Sequence, residues 1–288
     1  MSARCGVRRR LSAAGALILL LFAPAGLAAE TASPWTEIPE TRARLLALTI
    51  AVGDADAVTV GLQIELVPGW KTYWRSPGDA GTPPLLDWSG SENLAGAEVR
   101  WPTPKRFTAF GFETFGYVDE IILPIRVRLI DPGKPLVLRL KLDYQVCEEI
   151  CIPVGAALAL TLPAGPASPS EHAPSIARFE AAVPRPSGDG SISIDGATVR
   201  VDLSGAALEV SVASRTALSN PDLIVETTEP VYFGKPQIVL SEDRRKALIR
   251  LPISADSEPM RLVGRELLLT VIDGAGACEA RIVAAGPG

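Results

Sequence analysis

The sequence predicts an all-β chain built as two antiparallel β-sandwiches. Three observations carry that expectation. Apolar and polar residues alternate strictly over several runs. In residues 57–66, Val58, Val60, Leu62, Ile64 and Leu66 interleave with Thr59, Gly61, Gln63 and Glu65, which means a strand with one buried face. Turn residues separate the runs at regular spacing, and the 25 Gly and 25 Pro follow no period of their own. No stretch shows a convincing helical period of useful length. A chain of 288 residues fits one large or two ordinary domains, and a hydrophobic fraction of 47% is enough for real cores.

The elements follow in order. Residues 1–29 read as a secretory signal peptide. Arg4, Arg8, Arg9 and Arg10 precede an apolar run over residues 11–26, and the small residues Ala28 and Ala29 suit a cleavage site. The run is short for a membrane span of about 20 residues and is broken by Pro24, so Sec-type export and removal are expected. No other run is long enough to cross a bilayer. Cleavage removes four arginines and no acid, moving the net charge from −5 to −9. An acidic exported protein is a poor fit for nucleic acid.

Residues 30–163 form the first sandwich. After a polar lead-in, strand patterns cover residues 43–51, 57–66, 70–75, 85–88, 97–101, 120–129, 136–146 and 154–162. Residues 76–84 are a loop dense in turn formers. Residues 107–117 carry Phe107, Phe110, Phe112, Phe115 and Tyr117 spaced by glycines. That is too aromatic for an exposed loop, so the stretch either packs back onto the body or covers something. Residues 164–190 are a Pro/Ser-rich linker with a short helix over 175–183. From residue 191 to 288 the strand rhythm resumes as a second sandwich. His172, the one histidine, is expected to be solvent-exposed near the linker.

The chemistry concentrates at Tyr144-Gln145-Val146-Cys147-Glu148-Glu149-Ile150-Cys151-Ile152-Pro153. Two cysteines separated by three residues lie between two strand patterns, a β-hairpin with a dithiol across its turn. Opposed antiparallel residues have Cα atoms about 4.5–5.5 Å apart, within the range of about 4.4–6.8 Å that a disulfide accepts. The loop closed is small, so the bond confines the unfolded chain little. Glu148 and Glu149 disfavour a thiolate, and no helix N-terminus is at hand to favour one. Such a pair would react selectively. Chemistry alone leaves two readings open: a redox pair, or a structural hairpin bond with no exchange. Cys278 is the odd cysteine, read as a small residue at the start of a strand. No cofactor and no metal site is expected, because zinc wants four ligands that the chain does not group. A copper(I) site on the two thiolates stays open, since soft ligands suit that ion.

Three stretches resemble a known family: residues 69–81, Gly-Trp-Lys-Thr-Tyr-Trp-Arg-Ser-Pro-Gly-Asp-Ala-Gly; Phe115-Gly116-Tyr117; and Val146 to Pro153. Together, in this order, they look like the periplasmic N-terminal domain of the thiol:disulfide interchange protein DsbD. The three-residue cysteine spacing is that of the branch with the suppressor of copper sensitivity protein ScsB, and beside the redox reading that branch leaves open a non-catalytic β-sandwich binding or copper-stress module with a structural hairpin bond. The resemblance spans residues 35–163 and implies an immunoglobulin-like fold and a periplasmic location. It implies that Cys147 and Cys151 relay electrons by thiol:disulfide interchange from a membrane donor of the DsbD/CcdA/ScsB type to periplasmic thioredoxin-like proteins, with Cys151 the more exposed. This sequence shows neither a transmembrane conduit nor a thioredoxin-like domain, so the donor is expected to be a separate membrane protein. The resemblance also implies a cap over the pair: Phe115 and Tyr117 match its position, Asp119 and Glu120 lie close by, and Tyr73 matches an aromatic facing the active site.

Overall fold

The computed structural model describes residues 1–2, 30–109, 111–203, 205–274 and 276–286. The signal-peptide reading of residues 1–29 falls almost wholly outside them. The first half runs β1 (Thr36–Ile38), β2 (Thr41–Ala47), β3 (Ala57–Leu66), β4 (Lys71–Gly78), β5 (Leu85–Asp87), β6 (Leu94–Val99), β7 (Lys105–Ala109), β8 (Phe112–Val118), β9 (Glu120–Leu129), β10 (Leu136–Cys147) and β11 (Cys151–Leu162). One sheet has the order β1-β2-β3-β9-β6, and the facing sheet β11-β10-β4-β8-β7 with β5 on β10. All of these pairings are antiparallel, an immunoglobulin-like sandwich.

Strand alternation builds the core between the sheets. On β10, Leu138, Leu140, Leu142, Tyr144 and Val146 point inward while Arg139, Lys141 and Asp143 face water. They meet Leu45, Val60, Leu62, Ile64, Leu123 and Ile125 from the other sheet. Trp74, fully buried, sits in this core with Phe115 edge-on at 6.5 Å.

Residues 163–170, a linker by composition, are ordered along the first sandwich. Val52, Gly53 and Ile50 donate backbone hydrogen bonds to Pro163, Gly165 and Ser168. A helix, α1 (Ala173–Glu180), follows with Pro174 in its first turn, and packs Ile176 between Leu46 and Ile122. His172 caps that helix and is half-buried rather than exposed. Burial, then the nearby Arg44, lowers its pKa against the pull of Glu171.

The second half runs β12 (Arg185–Pro186), β13 (Ile192–Asp202), β14 (Gly205–Ser214), β15 (Asp222–Glu226), β16 (Gln237–Leu240), β17 (Lys246–Pro252), a 3-10 turn at Pro259–Leu262, β18 (Glu266–Asp273) and β19 (Gly276–Val283). Its sheets have the orders β12-β19-β18-β15 and β13-β14-β17-β16. Only β12–β19 pairs in parallel among the described strands. Val199, Leu208, Ile249, Leu267, Leu269 and Cys278 share the second core. The two cores touch, since Ile224 of β15 is packed into the first.

Candidate functional site

The β10–β11 hairpin places the cysteines. Its ladder runs in register from Leu136–Leu162 to Cys147–Cys151, so the two cysteines are its last pair. They are disulfide-bonded, with Cα atoms 4.1 Å apart. Glu148, Glu149 and Ile150 form the exposed tip, where the Glu148 amide donates to the Ile150 carbonyl. The two sulfurs are not equivalent. Cys147 is 2% exposed, whereas Cys151 faces solvent.

The neighbouring strand supplies the surroundings. β4 pairs with β10 at Thr72–Val146 and Lys71–Cys147. Side chains alternate along a strand and paired residues share a face. Lys71, Tyr73 and Cys147 therefore stand together on the outer face. The Tyr73 hydroxyl donates to Cys147 Sγ at 3.2 Å and lies 3.7 Å from Cys151 Sγ. Burial raises the Tyr73 pKa, so the hydroxyl keeps its proton and remains a donor. The segment after β4 covers the tyrosine. Gly81, at φ +97°, lies so close that a Cβ there would fall 2.2 Å from Tyr73 Cζ. The Thr82 amide donates to the Gln145 side chain, which ties the segment to β10.

Lys71 extends the other way. Its ammonium donates to Thr114 Oγ1 at 3.1 Å and lies 4.8 Å from the Phe107 ring and 5.8 Å from the Tyr73 ring. It makes no ion pair among the described residues, and burial lowers its pKa. A half-buried cation without a carboxylate is costly.

The structure separates the remaining expected residues from the pair. Tyr73 pairs with Gly116, so Phe115 and Tyr117 flank that glycine on the opposite, core-facing side. Phe115 packs on Trp74, and the Tyr117 hydroxyl donates to the Pro102 carbonyl at 2.7 Å. The cap position that the resemblance implies for them is not where they lie, because alternation along β8 turns both toward the core. Gly116 itself has no room for a side chain, because a Cβ would meet the Thr72 carbonyl oxygen at 2.0 Å. Asp119 is an exposed turn residue at φ +62°, and Glu120 accepts hydrogen bonds from Gln63 and Arg178. Neither hydrogen-bonds to the cysteine hairpin among the described residues. From the aromatic stretch it is Phe107, on β7, that lies on the disulfide side. Phe110, also part of that stretch, lies outside the described residues. Sequence reasoning missed Lys71 and Gly81. The first was signalled by its two-residue spacing from Tyr73, the second by nothing local.

Comparison with known proteins places these features. Residues 42–163 match the family "Thiol:disulfide interchange protein DsbD, N-terminal". Residues 182–286 match a domain of unknown function, DUF8393. No curated protein matches the chain. Among solved structures, the N-terminal periplasmic domain of ScsB from Proteus mirabilis is similar at 25% identity with a TM-score of 0.71, covering 90% of this chain and 99% of that one. Since the bonded Cys147–Cys151 hairpin falls inside the matched residues, the first sandwich of this chain is a DsbD/ScsB-like N-terminal domain of a thiol:disulfide exchange family.

Proposed function

We propose that the protein is a periplasmic thiol:disulfide exchange protein whose Cys147–Cys151 pair relays electrons from a membrane-embedded donor to thioredoxin-like acceptors. One observation carries this reading: the bond joins an exposed cysteine to a buried one whose departure as thiolate meets a waiting donor, the Tyr73 hydroxyl. A donor thiolate attacks Cys151 Sγ, the S–S bond breaks, and Cys147 leaves as a thiolate hydrogen-bonded by Tyr73. The donor's second thiol then resolves the mixed disulfide and releases the pair as two thiols. In the second half, the Cys151 thiolate attacks an acceptor disulfide. Cys147 then attacks Cys151 Sγ, the acceptor leaves reduced, and the bond reforms. Two electrons enter and two leave.

A purely structural bond is the weaker reading. The disulfide links residues that the β10–β11 ladder already pairs, so it adds little constraint to the hairpin. Periplasmic placement is supported by the exported-type N-terminus and by the likeness to the periplasmic domain of ScsB. Asp119 and Glu120 sit at the edge of the same domain, with no part in the exchange steps.

The deciding measurement is the reduction potential of the pair in glutathione buffers. Exchange proteins lie between about −270 and −120 mV, whereas structural bonds lie below about −300 mV. A value in the second range would overturn the proposal.

A further inference from the structure

An edge strand presents backbone groups that its own sheet does not pair, and folded proteins usually cover or blunt it. The two sheets of the second sandwich end in β12, β15, β13 and β16. The first three are managed. β12 is two residues long and contains Pro186. β15 lies at an arginine–carboxylate junction with the first sandwich, where Arg106 donates to Asp222 and to the Leu223 carbonyl, and Arg75 to Glu226 and Glu279. β13 is covered near the end of the chain: the Val199 amide donates to the Ala285 carbonyl and the Ala285 amide to the Ala197 carbonyl, both at 2.9 Å.

β16 has none of these devices. It reads Gln237-Ile238-Val239-Leu240, with no charge, proline or bulge in its pairing with β17. Hydrogen-bonded and non-hydrogen-bonded pairs alternate along an antiparallel ladder. The Ser241 amide donates to the Lys246 carbonyl, so the bonded pairs that follow are Val239–Leu248 and Gln237–Arg250. The amides and carbonyls of Ile238 and Leu240 therefore point away from β17, and nothing bonds them among the described residues. Their side chains pack on the second core but stay half-buried at its open margin. On the outer face Val239 is 67% exposed beside Leu248, its partner on β17, at 40%. Lys235 and Glu242 flank the strand, both exposed and without an ion pair among the described residues.

We propose that β16 is a self-association edge whose occupant is β16 of a second copy, paired antiparallel about a two-fold axis at Val239. The strand matches itself in that register. Ile238 of each copy falls opposite Leu240 of the other, and their outward groups satisfy one another in about four backbone hydrogen bonds. Val239 meets its own copy at the closer, non-hydrogen-bonded spacing, which joins the two Val239–Leu248 pairs into one apolar row. Lys235 of each copy comes to the Glu242–Asp243 turn of the other, opposite in charge. Those flanks favour a copy of this chain over an arbitrary apolar strand. Pro236, which has no amide hydrogen, ends the ladder on one side and the turn after Leu240 on the other. One patch used twice about a two-fold axis closes as a dimer and builds no fibre. No residue of the cysteine hairpin lies on this edge, so the inference is independent of the exchange reading.

The test is sedimentation equilibrium on the full chain with its disulfide formed, over about 1 to 200 μM, where micromolar affinities are read. Wild type is expected to pass reversibly from the monomer mass toward the dimer mass. Val239→Lys sets like charges against each other on the axis and should weaken the dimer by about tenfold or more. Its urea midpoint should stay near that of wild type, because the side chain is largely exposed. Val239→Glu should behave the same way alone. Mixed in equal amounts, the two variants should recover the dimer, since each charge then meets its opposite; a folding defect would not be rescued so. A wild type that stays monomeric overturns the proposal, and so does one that grows beyond a dimer. A dimer that Val239→Lys leaves unchanged, or a mixture no tighter than either variant alone, overturns it as well.

Discussion

The Tyr73 hydroxyl lies 3.2 Å from the sulfur of Cys147, the less exposed of the two bonded cysteines. A hydrogen bond to a thiolate favours the charged form. In Tyr73→Phe the thiol pKa of Cys147 is expected to rise by about one unit, equivalent to about 1.4 kcal/mol. The measurement is an NMR titration of the Cys147 Cβ in reduced protein carrying Cys151→Ser. An unchanged pKa would remove Tyr73 from the leaving-group role.

Lys71 faces the same side as Cys147 and has no carboxylate partner among the described residues. Replacing it by Met keeps the stem and deletes the charge. Glu148 and Glu149 then act on the thiolate unopposed, and the Cys147 pKa should climb by about half a unit to one unit, as expected for a charge in a partly buried site. Lys71→Arg should recover most of the difference.

The unequal exposure of the sulfurs predicts unequal trapping. Cys147→Ser leaves the exposed Cys151 thiol without a resolving partner, and stable mixed disulfides with periplasmic proteins should accumulate on non-reducing gels. Cys151→Ser leaves only the buried Cys147 and should capture at least tenfold less. Equal yields would contradict the assignment of Cys151 as the attacked atom.

Gly81→Ala sets a Cβ about 2.2 Å from the Tyr73 ring on backbone at φ +97°. Both effects oppose it, so a loss of more than about 1 kcal/mol in urea unfolding is expected, together with faster reduction by dithiothreitol. Gly111→Ala also sits at positive φ but meets nothing within 4 Å. It should carry the backbone cost and leave the reduction rate alone.

Cys278 is 1% exposed in the second core, and burial pushes its thiol up to about 11. The folded chain holds that proton at pH values where the unfolded chain has lost it. Stability from this group is therefore full below pH 9 and falls as pH rises toward 11. Between pH 8 and 10.5 wild type should lose about 2 kcal/mol more than Cys278→Ala. In the native state near pH 8, Cys278 should resist iodoacetamide.

Much of the fold was legible because one-sided burial writes itself as alternation. Residues 57–66 and 120–129 coincide with β3 and β9, and the pattern at 136–146 with nearly all of β10. The cysteine hairpin was legible for the same reason, with its turn fixed by three residues. At Phe115 and Tyr117 both strand and face went unread, because the glycines break the alternation that would mark β8. Gly116 shows no side chain, and only the pairing with Tyr73 reveals which side of β8 looks at the sulfurs. The arginine–carboxylate junction was invisible because its partners lie 116 to 204 residues apart and nothing local marks them.

The ladder beneath the cysteines has a kinetic consequence. Leu136 to Val146 stay paired with Leu162 to Ile152 by backbone hydrogen bonds and buried leucines, none of which involves sulfur. Opening the bond therefore removes one covalent link and leaves the register intact. On the exchange reading proposed above, the pair therefore opens and closes at the end of a ladder that holds without it, and the chain passes through no unfolded thiol state.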